Sequence, residues 1–368
     1  MNNRADLQEM FKEAVRNHKN GDLEKASQLY RQILEQRPHH CQTLQLLSSI
    51  LRNQGRYGEA RELVERALKR APHSHELHNT YGLLLKQEGK THGAAEEFQK
   101  AIQNKPDFAD AHNNLGTVLD DLGRYHEAIE SLETATNLDP DFAEAYSNLG
   151  LALTHLGRYP DAEEAYAECL ALEPRNPRVC CNLAACHIEQ NRLAEAEKLL
   201  EEARAEQKVL PQLQATLAKV CNLQGRLEES VEVCEQALEK APRHLNLWNN
   251  LGTALMELGR RDEAMAAFEK AIAIAPDNPD SHLNRALVLL LTERWEKGLE
   301  EYEWRFEASP WIIQRYISPA PWAGRPGHFC RPSPIGDGDW RGRRRNRMSE
   351  WRCSRSNNTT TGSRFRNK

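Results

Sequence analysis

The sequence predicts an all-α protein, a stack of repeated helix–turn–helix units. Three observations carry this. A period of 34 residues runs through residues 7–312. Small residues recur at two fixed places in every period. Gly or Asn closes the first half of nearly every unit, and Pro closes the second.

Nine units start at residues 7, 41, 75, 109, 143, 177, 211, 245 and 279. The eighth position is always small, as in Ala14, Ser48, Gly82, Gly116 and Gly252. The twentieth is small too, from Ala26 and Ala60 to Ser230 and Gly298. Small residues let two helices approach closely. The twenty-fourth position is always apolar (Tyr30, Val64, Phe98, Leu132, Tyr166), a knob for the space the small residues leave. Position fifteen is Gly or Asn in eight units, which suits a left-handed helix C-cap. Position thirty-two is Pro in eight of nine, which cannot continue a helix. Each unit therefore reads as helix, tight turn, helix, turn.

On these residues the chain resembles the tetratricopeptide repeat family. "HNNLGTVLDDLGRY" and "YSNLGLALTHLGRY" show its apolar residue, Leu-Gly and cap at the family's offsets. The resemblance covers residues 7–312 and implies a right-handed superhelical solenoid with a concave inner surface. One helical pair cannot bury its own apolar face, so neighbours do it. Unit one carries Glu13 and Asn17, and unit nine Arg285 and Arg305, where middle units are apolar. These predict polar end caps. Unit six has Lys208 instead of proline, which predicts the loosest joint and a second helix that runs long.

No apolar run approaches the roughly 20 residues of a membrane span. The start has no apolar signal-peptide core, so the sequence predicts a cytoplasmic protein without a membrane partner. The nine cysteines are then expected to be reduced. Cys180, Cys181, Cys186 and His187 cluster in unit six, with Cys221 and Cys234 in unit seven. They lack zinc-ligand spacing, and successive helical residues point about 100° apart. They are expected to be small buried core residues, with no metal and no cofactor. The histidines of "HSHELH" and of His39–His40 are expected on a solvated surface. No nucleophile elbow, phosphate loop or H-E-x-x-H motif occurs, and no catalytic residue is assigned. The chain is expected not to be an enzyme.

The resemblance places the first helix of each unit on the concave side, with positions 2, 5, 6, 9, 12 and 13 facing in. Position six reads Thr80, Asn114, Asn148, Asn182, Thr216, Asn250 and Asn284 through units three to nine. A core position would be apolar and an ordinary surface position mostly charged. An amide carries both a donor and an acceptor. A row of amides suits the backbone of an extended peptide, whatever its side chains. The row resembles the asparagine ladder of O-linked N-acetylglucosamine transferases. The competing reading is that each Asn bonds the neighbouring helix and stiffens the stack. The carboxylate clamp of chaperone adaptors does not fit, because Asp110, Asp120, Asp121, Glu144, Glu189, Glu257 and Asp280 face in. The expected partner is an extended protein segment, neutral to basic. Asn113 is read as local variation beside Asn114.

The expected organisation is a lead-in at 1–6, the solenoid at 7–312, a linker at 313–323 and a disordered Arg-rich tail at 324–368. The tail holds 12 Lys+Arg against 3 Asp+Glu, while residues before it carry 37 against 51. It has no Leu, Val or Ala, so it cannot build a core. "RGRRRNR" is open to three readings: a nucleic-acid or anionic-surface contact, a targeting signal, or the product of a shifted reading frame after "PAPWAG". Nucleic acid is not expected as a partner except through this tail. "ERWEKGLEEYEWRFEASP" resembles the bridge from bacterial repeat arrays into a glycosyltransferase-like domain. Two functions follow as expectations. One is a non-catalytic scaffold that holds an extended peptide. The other is the recognition arm of a glycosyltransferase whose catalytic part lies elsewhere.

Overall fold

Eighteen α-helices and one 3-10 helix make up residues 3–174, 176–206 and 210–306, the part of the chain that the computed structural model describes. Units one to three are α1 (Asn3–Lys19) and α2 (Leu23–Gln36), α3 (Cys41–Asn53) and α4 (Tyr57–Leu68), α5 (His75–Gln87) and α6 (Thr91–Asn104). Units four to six are α7 (Ala109–Asp121) and α8 (Tyr125–Leu138), α9 (Ala143–His155) and α10 (Tyr159–Leu172), α11 (Pro177–Glu189) and α12 (Leu193–Glu206). Units seven to nine are α13 (Pro211–Gln224) and α14 (Leu227–Lys240), α15 (Leu245–Glu257) and α16 (Arg261–Ile274), α17 (Pro279–Leu291) and α18 (Trp295–Tyr302). The 3-10 helix Glu303–Phe306 follows. No strand occurs among the described residues. Met1–Ser309 form one compact unit. The expectations for 313–323 and 324–368 lie outside the described residues.

Within each unit the turn is a left-handed cap. Position fifteen has positive φ in all nine units, from Gly21 at 82° to Asn191 at 58° and Glu293 at 60°. The reversed chain bonds back across the cap: the Arg124 N–H reaches the Leu119 carbonyl at 2.9 Å and the Gly123 N–H the Asp120 carbonyl at 2.9 Å. The second helix then opens on a basic–acidic pair three residues apart, such as Arg124 with Glu127 and Arg260 with Glu263.

The small-residue positions work as spacing predicts. A Cβ placed on Gly82 would meet the Phe98 ring at 2.6 Å, on Gly150 the Tyr166 ring at 2.6 Å, and on Gly116 the Leu132 Cγ at 2.5 Å. Phe98, Leu132, Tyr166 and Phe268 have no exposed surface. Each such knob contributes about 1.5–3 kcal/mol by burial alone. Between units, the second helix packs on the next first helix, so one apolar layer runs from Leu85 to Cys186 across units three to six.

α1 starts at Asn3, within the stretch expected as a lead-in, where Asp6 complements the positive end of the helix. The expected long second helix of unit six turns on residues 207–209, which lie outside the described residues. Two expectations are corrected. Arg285 is not a solvated cap residue, since its guanidinium pairs with Glu301 within the same unit. The end of unit nine instead exposes Leu291, Trp295 and Leu299. The histidines of "HSHELH" are not uniformly solvated: His78 is buried, because Glu97 and the Pro72 carbonyl occupy both ring nitrogens.

Candidate functional site

From α3 to α17, every first helix lies against the next first helix, and no two successive second helices approach to the same degree. The first helices therefore line the inner, tighter side of the stack. Position six of each falls on this side, but its residues differ in what they do.

Asn114 Nδ2 donates to Asn79 Oδ1 at 2.9 Å, and Asn148 Nδ2 donates to Asn113 Oδ1 at 2.9 Å. Asn250 Nδ2 donates to the Ala215 carbonyl at 2.7 Å, and the Asn250 carbonyl accepts from Asn222 Nδ2 at 2.9 Å. The three donations from position six step back 35 residues, to position five of the unit before, whereas Asn222 donates forward into the next unit. Thr80 and Thr216 turn their hydroxyls to their own helix, bonding the carbonyls of Glu76 at 2.8 Å and Gln212 at 3.1 Å. Asn284 is 2% exposed, and its buried Oδ1 has no hydrogen-bond partner among the described residues. Asn182 is half-buried and makes no side-chain hydrogen bond among the described residues.

Position five thus supplies acceptors to the next unit, a role the sequence did not assign to it. Asn113 is not local variation: it is 3% exposed and receives the Asn148 amide. The signal was present in a polar series at one helical position, Gln45, Asn79, Asn113, Ser147 and Asn249, of which Asn113 and Ser147 are buried and the others half-buried. A helix interior disfavours Asn, so the repeated choice needed a partner. The one-sided donation leaves each amide half used. Oδ1 of Asn114 and of Asn148 accepts no hydrogen bond among the described residues, and both residues are only half-buried.

The acidic inner residues are partly neutralised from within. His155 Nδ1 lies 2.8 Å from Asp120, which raises the imidazole above its ordinary value despite partial burial. Lys86 Nζ donates to Thr117 at 2.9 Å and lies 3.6 Å from Asp121. Burial pulls the Lys219 ammonium below its ordinary value, with Glu189 and Asp280 opposing that shift. Asp110, Glu144, Glu189 and Glu257 stay exposed. The inner side keeps an acidic excess, smaller than a residue count gives.

Cys169, Cys180, Cys181, Cys186, Cys221 and Cys234 are buried free thiols. Burial pushes Cys221 up to about 11 and Cys234 up to about 12. No group of three potential ligands is arranged for a metal among the described residues. No described helix is long and apolar enough to cross a membrane.

A family model described as the Cilia and flagella-associated protein 70 C-terminal domain matches residues 76–287. One described as the TT21 fifth ARM repeats domain matches residues 10–115. No curated protein sequence matches the chain. Among solved structures, a tetratricopeptide repeat protein from Parabacteroides merdae is similar at TM-score 0.55 and 17% identity, over 68% of this chain and 98% of that one. A chain of the APC/C hetero-tetramer Cut9-Hcn1 is similar at TM-score 0.53 and 18% identity, over 78% of this chain and 56% of that one. At these identities the likeness is one of fold.

Proposed function

The chain belongs to the tetratricopeptide-repeat family whose model is described as the Cilia and flagella-associated protein 70 C-terminal domain, and from that membership we propose that it is a non-catalytic scaffold holding an extended protein segment along its inner side. The observation that carries this is the half-used amide row. Asn114 and Asn148 keep an acceptor, and Asn182 a whole amide, on the half-buried inner helices. An extended backbone offers one donor and one acceptor per residue, which is the complement of such a row. The acidic excess favours segments that are neutral to basic.

The test is a peptide array probed with the full chain and with Asn182→Ala. Neutral and basic segments should bind, and the variant should lose several-fold in affinity with unchanged melting. A strong preference for acidic tails overturns the reading.

A second reading, the recognition arm of a glycosyltransferase, is favoured by the same Asn row followed by "ERWEKGLEEYEWRFEASP". It predicts that bound segments become glycosylated when the chain is supplied with the product of any restored downstream frame. Binding without glycosyl transfer leaves the scaffold reading alone.

A further inference from the structure

Position twenty-one of a second helix reaches position fourteen of the next unit, beside the cap, at three joints. Arg61 Nη1 donates to Glu88 at 3.1 Å, Gln190 Nε2 to Glu163 at 2.7 Å and Gln224 Nε2 to Glu197 at 2.9 Å. At three other joints the same two positions are apolar: Ala95 with Leu122, Ile129 with Leu156 and Val231 with Leu258. Ala95, Ile129 and Val231 are buried. The helices pack more extensively across these apolar joints than across the polar ones.

Unit six carries a polar pair on both of its sides. Glu163 of α10 accepts from Gln190 and from Arg192, which precedes α12. Glu197 of α12 accepts from Gln224 and from Arg226, which precedes α14. Burial raises the Glu163 carboxyl, but Gln190 and Arg192 bring it below its ordinary value. The Gln224 amide, with Arg226 and against burial, holds Glu197 below its ordinary value as well. Both clamps are therefore ionic near neutral pH. Their four charged side chains stay 27–38% exposed, so water and salt reach them.

Two ties that close the other joints from unit two to unit nine are missing here. At four joints a ring nitrogen at position four bonds the carbonyl of the preceding proline: His78 on Pro72, His112 on Pro106, Trp248 on Pro242 and His282 on Pro276. The residues in that place at the joints of unit six are Cys180 and Gln214, and neither makes this bond among the described residues. The amide tie of Asn114, Asn148 and Asn250 to the preceding unit is absent too. Asn182 makes no side-chain hydrogen bond among the described residues, and Thr216 bonds its own helix. The joint between units two and three also pairs polar residues, but it keeps the His78 tie and adds the Tyr81 hydroxyl on Glu65 at 3.0 Å. The apolar layer of units three to five reaches into unit six no further than Val179, Leu183 and Cys186.

We propose that unit six is a hinge, closed by the Glu163 and Glu197 clamps, between two stiffer blocks, units two to five and units seven to nine. Few buried apolar contacts and partly exposed polar ones mark the parts of a fold that open first. Inside the blocks, interdigitated apolar layers resist sliding. At unit six a small rotation exchanges protein–protein hydrogen bonds for water at little net cost. Salt screens both clamps and so widens the range of the hinge. The hinge sets the distance between Asn148 in one block and Asn250 in the other. On the scaffold reading above, it adjusts the inner side to segments of different length, and a bound segment selects one setting.

The test needs no bound segment. It compares the full chain with the variant Glu163→Ile/Gln190→Leu/Glu197→Val/Gln224→Leu, which installs at both joints the apolar pairs used at Ile129–Leu156 and Val231–Leu258. Arg192 and Arg226 keep Glu195 and Glu229 as partners. Small-angle X-ray scattering is recorded at about 0.01 M and about 1 M salt, between which the screening length falls from about 30 Å to about 3 Å. The wild-type distance distribution should broaden with salt, and that of the variant should not. Hydrogen exchange locates the effect. Last-turn amides of α11 and α13 should exchange several-fold faster at the higher salt in the wild type only, and those of α7, α9 and α15 equally at both. Equal salt responses in wild type and variant overturn the proposal. Should the variant not fold, the wild-type exchange map decides: a salt effect confined to α11–α13 supports the hinge, and one that is absent or uniform overturns it.

Discussion

Replacing Gly82 with Ala adds a methyl 2.6 Å from Phe98 Cε1, where about 3.5–4 Å is the favourable contact. Phe98 is wholly buried and has no free direction to move. Overpacking of this kind costs about 2 kcal/mol. The methyl also improves helix propensity by about 1 kcal/mol, which leaves a net loss near 1 kcal/mol. Phe98→Leu vacates part of the same space and costs about 1 kcal/mol by lost contacts and a small cavity. The two changes together recreate the pair that unit six already uses, Ala184 beside Leu200. The double variant should therefore be less damaged than the sum of the singles, with a coupling of about 1 kcal/mol in its favour. Urea denaturation followed by helical ellipticity measures all four corners of this cycle. Strictly additive losses, or a double variant worse than the sum, would refute the knob-and-gap account of how a unit closes.

Asn148→Ala should destabilise by about 1–2 kcal/mol, because it strips the donor from the buried Asn113 Oδ1. Asn182→Ala, whose side chain bonds nothing among the described residues, should leave melting unchanged, and comparing the two melts checks this. His155 is raised first by its hydrogen bond to Asp120, with burial opposing. Its contribution to stability is therefore complete below the unfolded value and is lost as pH rises through the raised folded value. That loss also bares the Asp120 charge on the inner side, so a basic peptide should bind more tightly at the upper end, and His155→Gln should flatten that profile in an affinity titration. Among the described cysteines only Cys41 is not fully buried. Mass mapping after brief alkylation should find it modified before the other described cysteines, with Cys221 and Cys234 reacting only on unfolding.

The repeat pattern made the fold legible because packing and caps demand the same residue type in every unit. Gly123 and its equivalents have to adopt positive φ, and Gly150 has to admit Tyr166, so the constraint shows nine times over. The inner side was legible only as a position. Asn114 and Asn148 stood out by type, but whether an amide faces a partner or the neighbouring helix depends on which atom lies 35 residues back, and a single-unit alignment hides that offset. Asn113 was missed for this reason. His78 was misjudged because its partners, Glu97 and the Pro72 carbonyl, lie 19 and 6 residues away, outside the local window that reads as a polar turn. The exposed Leu291, Trp295 and Leu299 lie at positions other than those of Arg285 and Arg305, where the polar cap was expected, so the two arginines gave no warning of them.

The central claim is that the inner amides hold a peptide by its backbone. It is tested most directly on one array-selected segment by comparing its affinity for the full chain with that of two altered forms, measured by fluorescence anisotropy. N-methylation at alternate residues removes backbone donors and keeps every side chain; side-chain alanine replacement does the reverse. The account predicts that N-methylation abolishes binding while most alanine replacements change it little. Binding that survives N-methylation and collapses on alanine replacement would contradict it.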